Sequence, residues 1–196
     1  MIKRLFDILS SLFAIIILLP FFLLIAFVIV ITSGFPIFYF QERVGKKQKP
    51  FKLIKFRTMK NNADQLGLIT VGEKDSRITN IGYFLRKYKL DELPQLFNVL
   101  LGTMSIVGPR PEVKKYVDLY SKEQLKVLNV KPGISDYASI YYSNENEVLA
   151  KYDNPDKAYI DIIMPNKLKM NLQYIKESTF LLDLKIIFRT LLKIIS

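Results

Sequence analysis

Residues 12–31 read LFAIIILLPFFLLIAFVIVI, and how this stretch meets a bilayer decides the architecture of the chain. No charged residue occurs anywhere in residues 8–41. Twenty helical residues reach about 30 Å, one hydrocarbon thickness. A cleaved secretory signal has an apolar region of only ~7–15 residues and a small-residue cleavage site. Here the run is longer and continues into GFPIFYF at residues 34–40.

Two features speak against a simple span. Pro20 falls near the middle, where it removes one backbone hydrogen bond and crowds the preceding turn. The flanking charges also conflict with a crossing. Lys3 and Arg4 hold the N-terminus on the cytoplasmic side, yet residues 43–60 are rich in Lys and Arg and make the same demand at the other end. A hairpin that enters, breaks at Pro20 and returns satisfies both. The sequence therefore predicts a re-entrant membrane helix within residues 1–41 and a cytoplasmic domain over residues 42–196. Its fold class is α+β, mostly helical, with short helices around a small sheet.

Composition narrows the chemistry. The 196 residues contain no His, Cys or Trp, and 50% are hydrophobic. Disulfides, Cys/His zinc sites and imidazole-based triads are thereby excluded. Chemistry falls to carboxylates, Lys, Arg, Tyr, hydroxyls or a hard metal ion. With 29 basic and 18 acidic residues the net charge is +11, which points to an anionic partner: nucleic acid, phosphorylated molecules or a membrane surface. No aromatic-basic repeat or nucleic-acid reader motif accompanies the charge, so no nucleic-acid partner is expected.

Within the polar part, PFKLIKFRTM (50–59) reads as an extended segment, and a strand would set Lys55 and Arg57 on one face. Such a pair also suits a solvated basic edge. Thr79 or Asn80 can cap a helix over residues 81–90, with Ile81, Phe84, Leu85 and Tyr88 on one face. Asp91 and Glu92 then precede Pro94, which suits the first turn of a second helix ending at Gly102. An acidic pair there is favoured by the helix dipole, whether as a cap or as a functional dyad. Gly108-Pro109-Arg110-Pro111 keeps Arg110 extended on a stiff loop, ready for a phosphate or carboxylate. A second loop, Lys131-Pro132-Gly133, places another cation beside turn residues. Asn154-Pro155 reads as a turn, and the helical pattern after it is expected to be interrupted at Pro165. In the last segment Lys185, Arg189 and Lys193 form one stripe on an otherwise apolar helix. That pattern fits either packing on the core or, preferably, an amphipathic helix at the membrane interface.

Paired carboxylates, several cations and a membrane segment suit chemistry on a phosphate ester or anhydride, with carboxylates able to hold Mg2+ or attack phosphorus. The ordered set KRLFD, FQERVG, FKLIKFRTM, DSRIT with IGYFLR, LDELPQLFNVLLGTMSIVGPRPE and KPG resembles the bacterial sugar transferase family. The resemblance is to its small monotopic polyprenyl-phosphate phosphoglycosyl transferases and covers nearly the whole chain. It implies transfer of a phospho-sugar from a UDP-sugar to undecaprenyl or another polyprenyl phosphate, with release of UMP. The first membrane step of glycoconjugate assembly (lipopolysaccharide or capsule) is implied, at the cytoplasmic face of a bacterial inner membrane. Asp91 is then the nucleophile that carries the phospho-sugar, and Glu92 completes the dyad and the Mg2+ contact. Arg86 and Arg110, together with Lys55 and Arg57, are implied as phosphate-binding residues. Pro20 matches the family's helix break. The loop KPGISDYASI departs from the commoner pattern at Asp136 and Ser139, at a place where nucleotide or sugar is expected to bind.

Two other readings stand beside this one: a UDP-releasing glycosyl transferase, and a non-enzymatic basic adaptor tethered to membrane lipids. Within the resemblance the expected donor carries an N-acetylated amino sugar, with UDP-galactose and UDP-glucose users also in the family. The sequence leaves the oligomeric state open, a homodimer included.

Overall fold

A computed structural model describes residues 2–63 and 75–195. Its first element is α1 (Ile2–Ser33), a single helix that runs through Pro20 without dividing into two elements. Proline removes one hydrogen bond from the ladder, and the bonds around it hold the helical path. Gly34, in the left-handed region at φ 72°, ends it.

One stripe of α1 faces the rest of the protein at a helical period, with Asp7, Ser11, Phe22 and Ile29 all buried. The remainder is exposed apolar surface, including Phe13, Ile16, Leu23 and Phe27. Among the described residues, α1 is long and apolar enough to cross a membrane. Both of its ends are fastened to the same domain. At the N-terminal end, Lys3 donates to Asp183 at 2.5 Å, and Arg4 donates to the carbonyls of Val99 and Leu100 at 2.6 and 2.9 Å. Asp7 accepts from the Ser105 hydroxyl and the Ile106 amide. At the C-terminal end, Arg57 donates to the carbonyls of Ser33 and Phe35, each at 2.7 Å.

The β1 (Phe38–Val44) and β2 (Pro50–Phe56) strands form an antiparallel hairpin, with Phe38 opposite Phe56 and Val44 opposite Pro50. The α2 helix (Asn80–Lys87) is capped by Thr79, whose hydroxyl accepts the Gly82 N–H. It is shorter than the expected 81–90 helix, because Lys89 turns into the left-handed region and reverses the chain. The predicted apolar face is also divided. Leu85 is buried, whereas Phe84 and Tyr88 are exposed and pack on each other. After a 3-10 turn at Leu90–Glu92, α3 (Gln95–Leu101) ends at Gly102 as expected. Phe56, Leu85, Phe22 and Ile29 form one core, so the hairpin, α2 and the second half of α1 share a single interior. Burying each such side chain contributes ~1.5–3 kcal/mol.

A second small sheet pairs β3 (Ser105–Val107) in parallel with β4 (Gly133–Ser135). Short helices follow: α4 (Lys114–Val117), α5 (Tyr137–Tyr141), α6 (Glu145–Leu149) and α7 (Pro155–Ala158). A π-helical turn at Tyr159–Ile163 leads directly into α8 (Met164–Glu177), so Pro165 does not interrupt the helical path. The reason is steric. Pro165 occupies the first turn of α8, where no N–H is required, and the wider π turn precedes it. Val127, Leu149, Ile163 and Leu168 fill the core of this half.

The last helix, α9 (Phe180–Ile195), buries Ile186 against Val107 and Tyr174. Leu181, Leu184, Phe188 and Leu191 stay exposed, as do Lys185, Arg189 and Lys193. Thus α9 packs on the core and still presents an apolar, basic outer surface. The protein is mostly helical α+β.

Candidate active site

The chain is steered to the dyad by three local decisions. The α2 helix stops at Lys87, Lys89 bends the backbone, and Pro94 starts α3 where its missing N–H is harmless. Asp91 and Glu92 sit in the tight turn between them rather than in the first turn of α3 itself. The β2 strand passes beside this turn and delivers Lys55.

Glu92 is the hub. It accepts a hydrogen bond from the Lys55 ammonium at 2.9 Å and is clasped by both terminal nitrogens of Arg110, with one contact at 3.0 Å. Its side chain is only 12% exposed. Burial opposes its ionisation, but the charges of Arg110 and Lys55 and the Arg110 hydrogen bonds hold it well below the usual carboxylate range. The Lys55 ammonium is pushed down by burial, against the pull of Glu92. Arg110 is pushed up by Glu92 and stays charged.

Asp91 is different. It is 6% exposed, and among the described residues no hydrogen bond reaches its carboxylate. Burial pushes its carboxyl up, and the negative Glu92 adds to this, while Lys55, Arg86 and Lys89 oppose it. The two neighbouring acids are thus driven apart: one a fixed anion holding two cations, the other an oxygen pair that, among the described residues, is unbonded in their field. A carboxylate in that state suits nucleophilic attack on an anionic phosphorus centre, whose charge the cations lower.

The structure brings together Asp91, Glu92, Lys55 and Arg110, with Arg86 close enough to act on the Asp91 charge. Arg57 goes elsewhere. Its guanidinium caps the C-terminal carbonyls of α1 and bonds Asn61, so the strand pair Lys55/Arg57 serves two separate sets of partners. Lys131 also lies apart, beside Arg4 and Lys46, where burial lowers its pKa. Pro20 lies within α1.

Glu112 is a supporting residue that sequence reading did not single out. It accepts from Arg43 at 2.9 Å and from the Tyr159 hydroxyl at 2.5 Å, and its carbonyl accepts the Val44 N–H. It ties the Arg110 loop to the β1–β2 hairpin. The only signal for it was membership of the VGPRPE segment; the Arg43 partner lies 69 residues earlier. The same loop is pressed against β4. A Cβ on Gly133 would lie 2.1 Å from the Gly108 nitrogen, so this crossing admits no side chain.

Which carboxylates could hold a metal is limited. Among the described residues no group of three or more acidic side chains has metal-site spacing, leaving the dyad. Mg2+ commonly takes one or two carboxylates and completes its shell with phosphate oxygens and water. The oxygens of Asp91, unbonded among the described residues, fit that pattern better than the occupied ones of Glu92.

Comparison with known proteins bears on the family of the chain. Over 198 residues the chain is 36% identical to the UDP-N-acetylgalactosamine-undecaprenyl-phosphate N-acetylgalactosaminephosphotransferase of Aeromonas hydrophila, covering 100% of this chain and 44% of that protein. It is 40% identical to the UDP-glucose:undecaprenyl-phosphate glucose-1-phosphate transferase of Klebsiella pneumoniae, covering 97% of this chain and 39% of the other. The chain therefore spans less than half the length of these two relatives. It spans 87% of the sugar transferase EpsL of Bacillus subtilis, at 36% identity. The family profile described as bacterial sugar transferase matches residues 1–196, and with the dyad, its cations and the apolar α1 in place, the chain belongs to the bacterial sugar transferase family.

Proposed function

We propose that this protein transfers a phospho-sugar from a UDP-sugar to undecaprenyl phosphate, releasing UMP and forming an undecaprenyl-diphosphate sugar. The observation that carries this reading is the buried carboxylate of Asp91, unbonded among the described residues, beside the Lys55–Glu92–Arg110 cluster. An Asp91 oxygen attacks the phosphorus bonded to the sugar, and the P–O bond to UMP breaks as UMP leaves. An oxygen of the undecaprenyl phosphate then attacks the same phosphorus and frees the Asp91 carboxylate. The acceptor is already anionic near neutral pH, so no histidine base is needed. Arg86, Arg110 and Lys55 neutralise the diphosphate oxygens while Glu92 keeps the last two in place. Of the dyad, Asp91 would be the principal Mg2+ contact, with Glu92 beside it and substrate phosphates completing the shell, and the ion would supply further charge neutralisation.

The membrane arrangement follows from where α1 is fastened. Residues 3–7 and residues 33–35 are gripped by the same domain, which supports both ends of α1 lying on one face of the bilayer. In that reading residues 1–41 form the re-entrant anchor. Residues 42–196 form the cytoplasmic catalytic domain, and α9 rests at the interface. The donor sugar we favour is an N-acetylated amino sugar, in line with the name of the Aeromonas relative.

The test is nucleotide release from a panel of UDP-sugars with undecaprenyl phosphate and Mg2+. UMP from one donor, lost in Asp91→Asn, is the expected result. Release of UDP would move the assignment to ordinary glycosyl transfer. Silence from every donor in well-folded protein would favour a membrane adaptor.

A further inference from the structure

Arg110 stands between two prolines, so its N–H is the one backbone donor in residues 109–111. That single donor fixes the peptide plane from which the guanidinium reaches Glu92. It is bound, at 2.9 Å, by an oxygen of Asp136, 26 residues further along the chain. Asp136 is 2% exposed and lies between β4 and α5. Its other oxygen accepts the Ser139 N–H and caps α5.

A helix cap needs one oxygen, which Ser or Asn supplies as well. Here a buried carboxylate with both oxygens occupied joins two loops, and among the described residues no Lys or Arg side chain bonds to it directly. Around it the loops are already stitched by Gly108 N–H to the Ser135 carbonyl and Gly133 N–H to the Pro109 carbonyl, both at 3.0 Å. Asp136 extends that seam by one residue, onto Arg110 itself. Its charge also adds to that of Glu92 in keeping Arg110 protonated.

We infer that Asp136 is a positioning residue for the transfer chemistry. By fixing the Arg110 backbone it sets the two-pronged grip of the guanidinium on Glu92, and hence the place where the diphosphate is neutralised. This rests on the reading given under Proposed function.

The experiment compares wild type, Asp136→Ser and Asp136→Asn, each with Arg110 intact and with Arg110→Lys. Serine keeps an oxygen for the α5 cap but is one bond too short to span to Arg110. UMP release is read as kcat and KM, and amide hydrogen exchange is followed across residues 107–112. With Arg110 intact, the substitutions are expected to lower kcat/KM by about ten- to a hundred-fold, the scale of a 1 Å misplacement. In the Arg110→Lys background the further loss should be under about three-fold, because the residue acts through Arg110. Exchange at Arg110 should rise at least roughly ten-fold, as expected when a buried amide loses its acceptor. Equal fold-losses in both backgrounds, or unchanged exchange at Arg110, would overturn the inference. A wild type that releases no UMP would sink the transferase reading, and the exchange measurement would still decide the clamp.

Discussion

Two adjacent carboxylates that titrate in opposite directions have opposite effects on stability. The Asp91 carboxyl is raised above the ~3.9 of a free Asp, so the folded state holds its proton more tightly and ionised Asp91 destabilises the fold at neutral pH. Asp91→Asn should therefore raise the melting temperature at pH 7, by about 2–4 °C per kcal/mol gained in a domain of this size, while abolishing turnover. The gain should shrink as the pH falls through the raised pKa toward the unfolded value, where both forms are neutral. Glu92 has the reverse sign. Its depressed pKa gives stability that is present above ~4.3 and lost as the pH falls through the folded value. Glu92→Gln leaves Lys55 and Arg110 without their anion, and should cost about 3–5 kcal/mol in thermal unfolding at pH 7. A stabilising Asp91→Asn beside a destabilising Glu92→Gln would separate nucleophile from scaffold. Equal destabilisation by both would contradict that division.

At the scale of elements, Arg57 shows how a cation in a phosphate-like motif can serve the fold. It is 6% exposed and donates to Ser33, Phe35 and Asn61, covering carbonyls that the end of α1 leaves open. Arg57→Met should destabilise the protein by roughly 2–4 kcal/mol through those unsatisfied groups, measured by thermal unfolding in detergent. The molecules that remain folded should keep the wild-type KM for the UDP-sugar. A KM raised many-fold with unchanged stability would return Arg57 to phosphate binding. The α9 helix is divided in a different way: Ile186 and Asp183 face the core, and the exposed Leu184, Phe188 and Leu191 face outward with the basic stripe. The sequence pattern of α9 suits both packing and interface, and the helix is wide enough to present a face for each.

For the whole molecule, the decisive feature is that one compact domain holds both ends of a 32-residue apolar helix. A straight helix of that length would extend about 48 Å, well beyond a bilayer core. The re-entrant arrangement predicts that residues at the two ends label from the same side. The chain has no cysteine, so single substitutions Ile2→Cys and Pro36→Cys give clean probes. In inverted vesicles both should react with an impermeant maleimide, and reaction of only one would establish a crossing helix.

The sequence by itself determined the apolar N-terminal helix, the start of β2, the placement of α3 between Pro94 and Gly102, and the Thr79 cap. Each of these rests on local chemistry: unbroken hydropathy, alternation, a hydroxyl before a helix, a proline after an acidic pair. It did not reveal the continuity of the helix through Pro20 or of the helical path into Pro165. One lost hydrogen bond is a local cost that the surrounding turns can absorb. Only the tertiary structure decided which cation meets which carboxylate. Lys55 reached Glu92 while Arg57, two residues on, reached α1, because the strand ends between them and burial of Phe56 turns the chain. The pairings of Arg43 with Glu112 and of Asp136 with Arg110 join segments separated by 69 and 26 residues. No spacing rule links such positions; they meet because the hairpin and the β3–β4 seam pack against one loop.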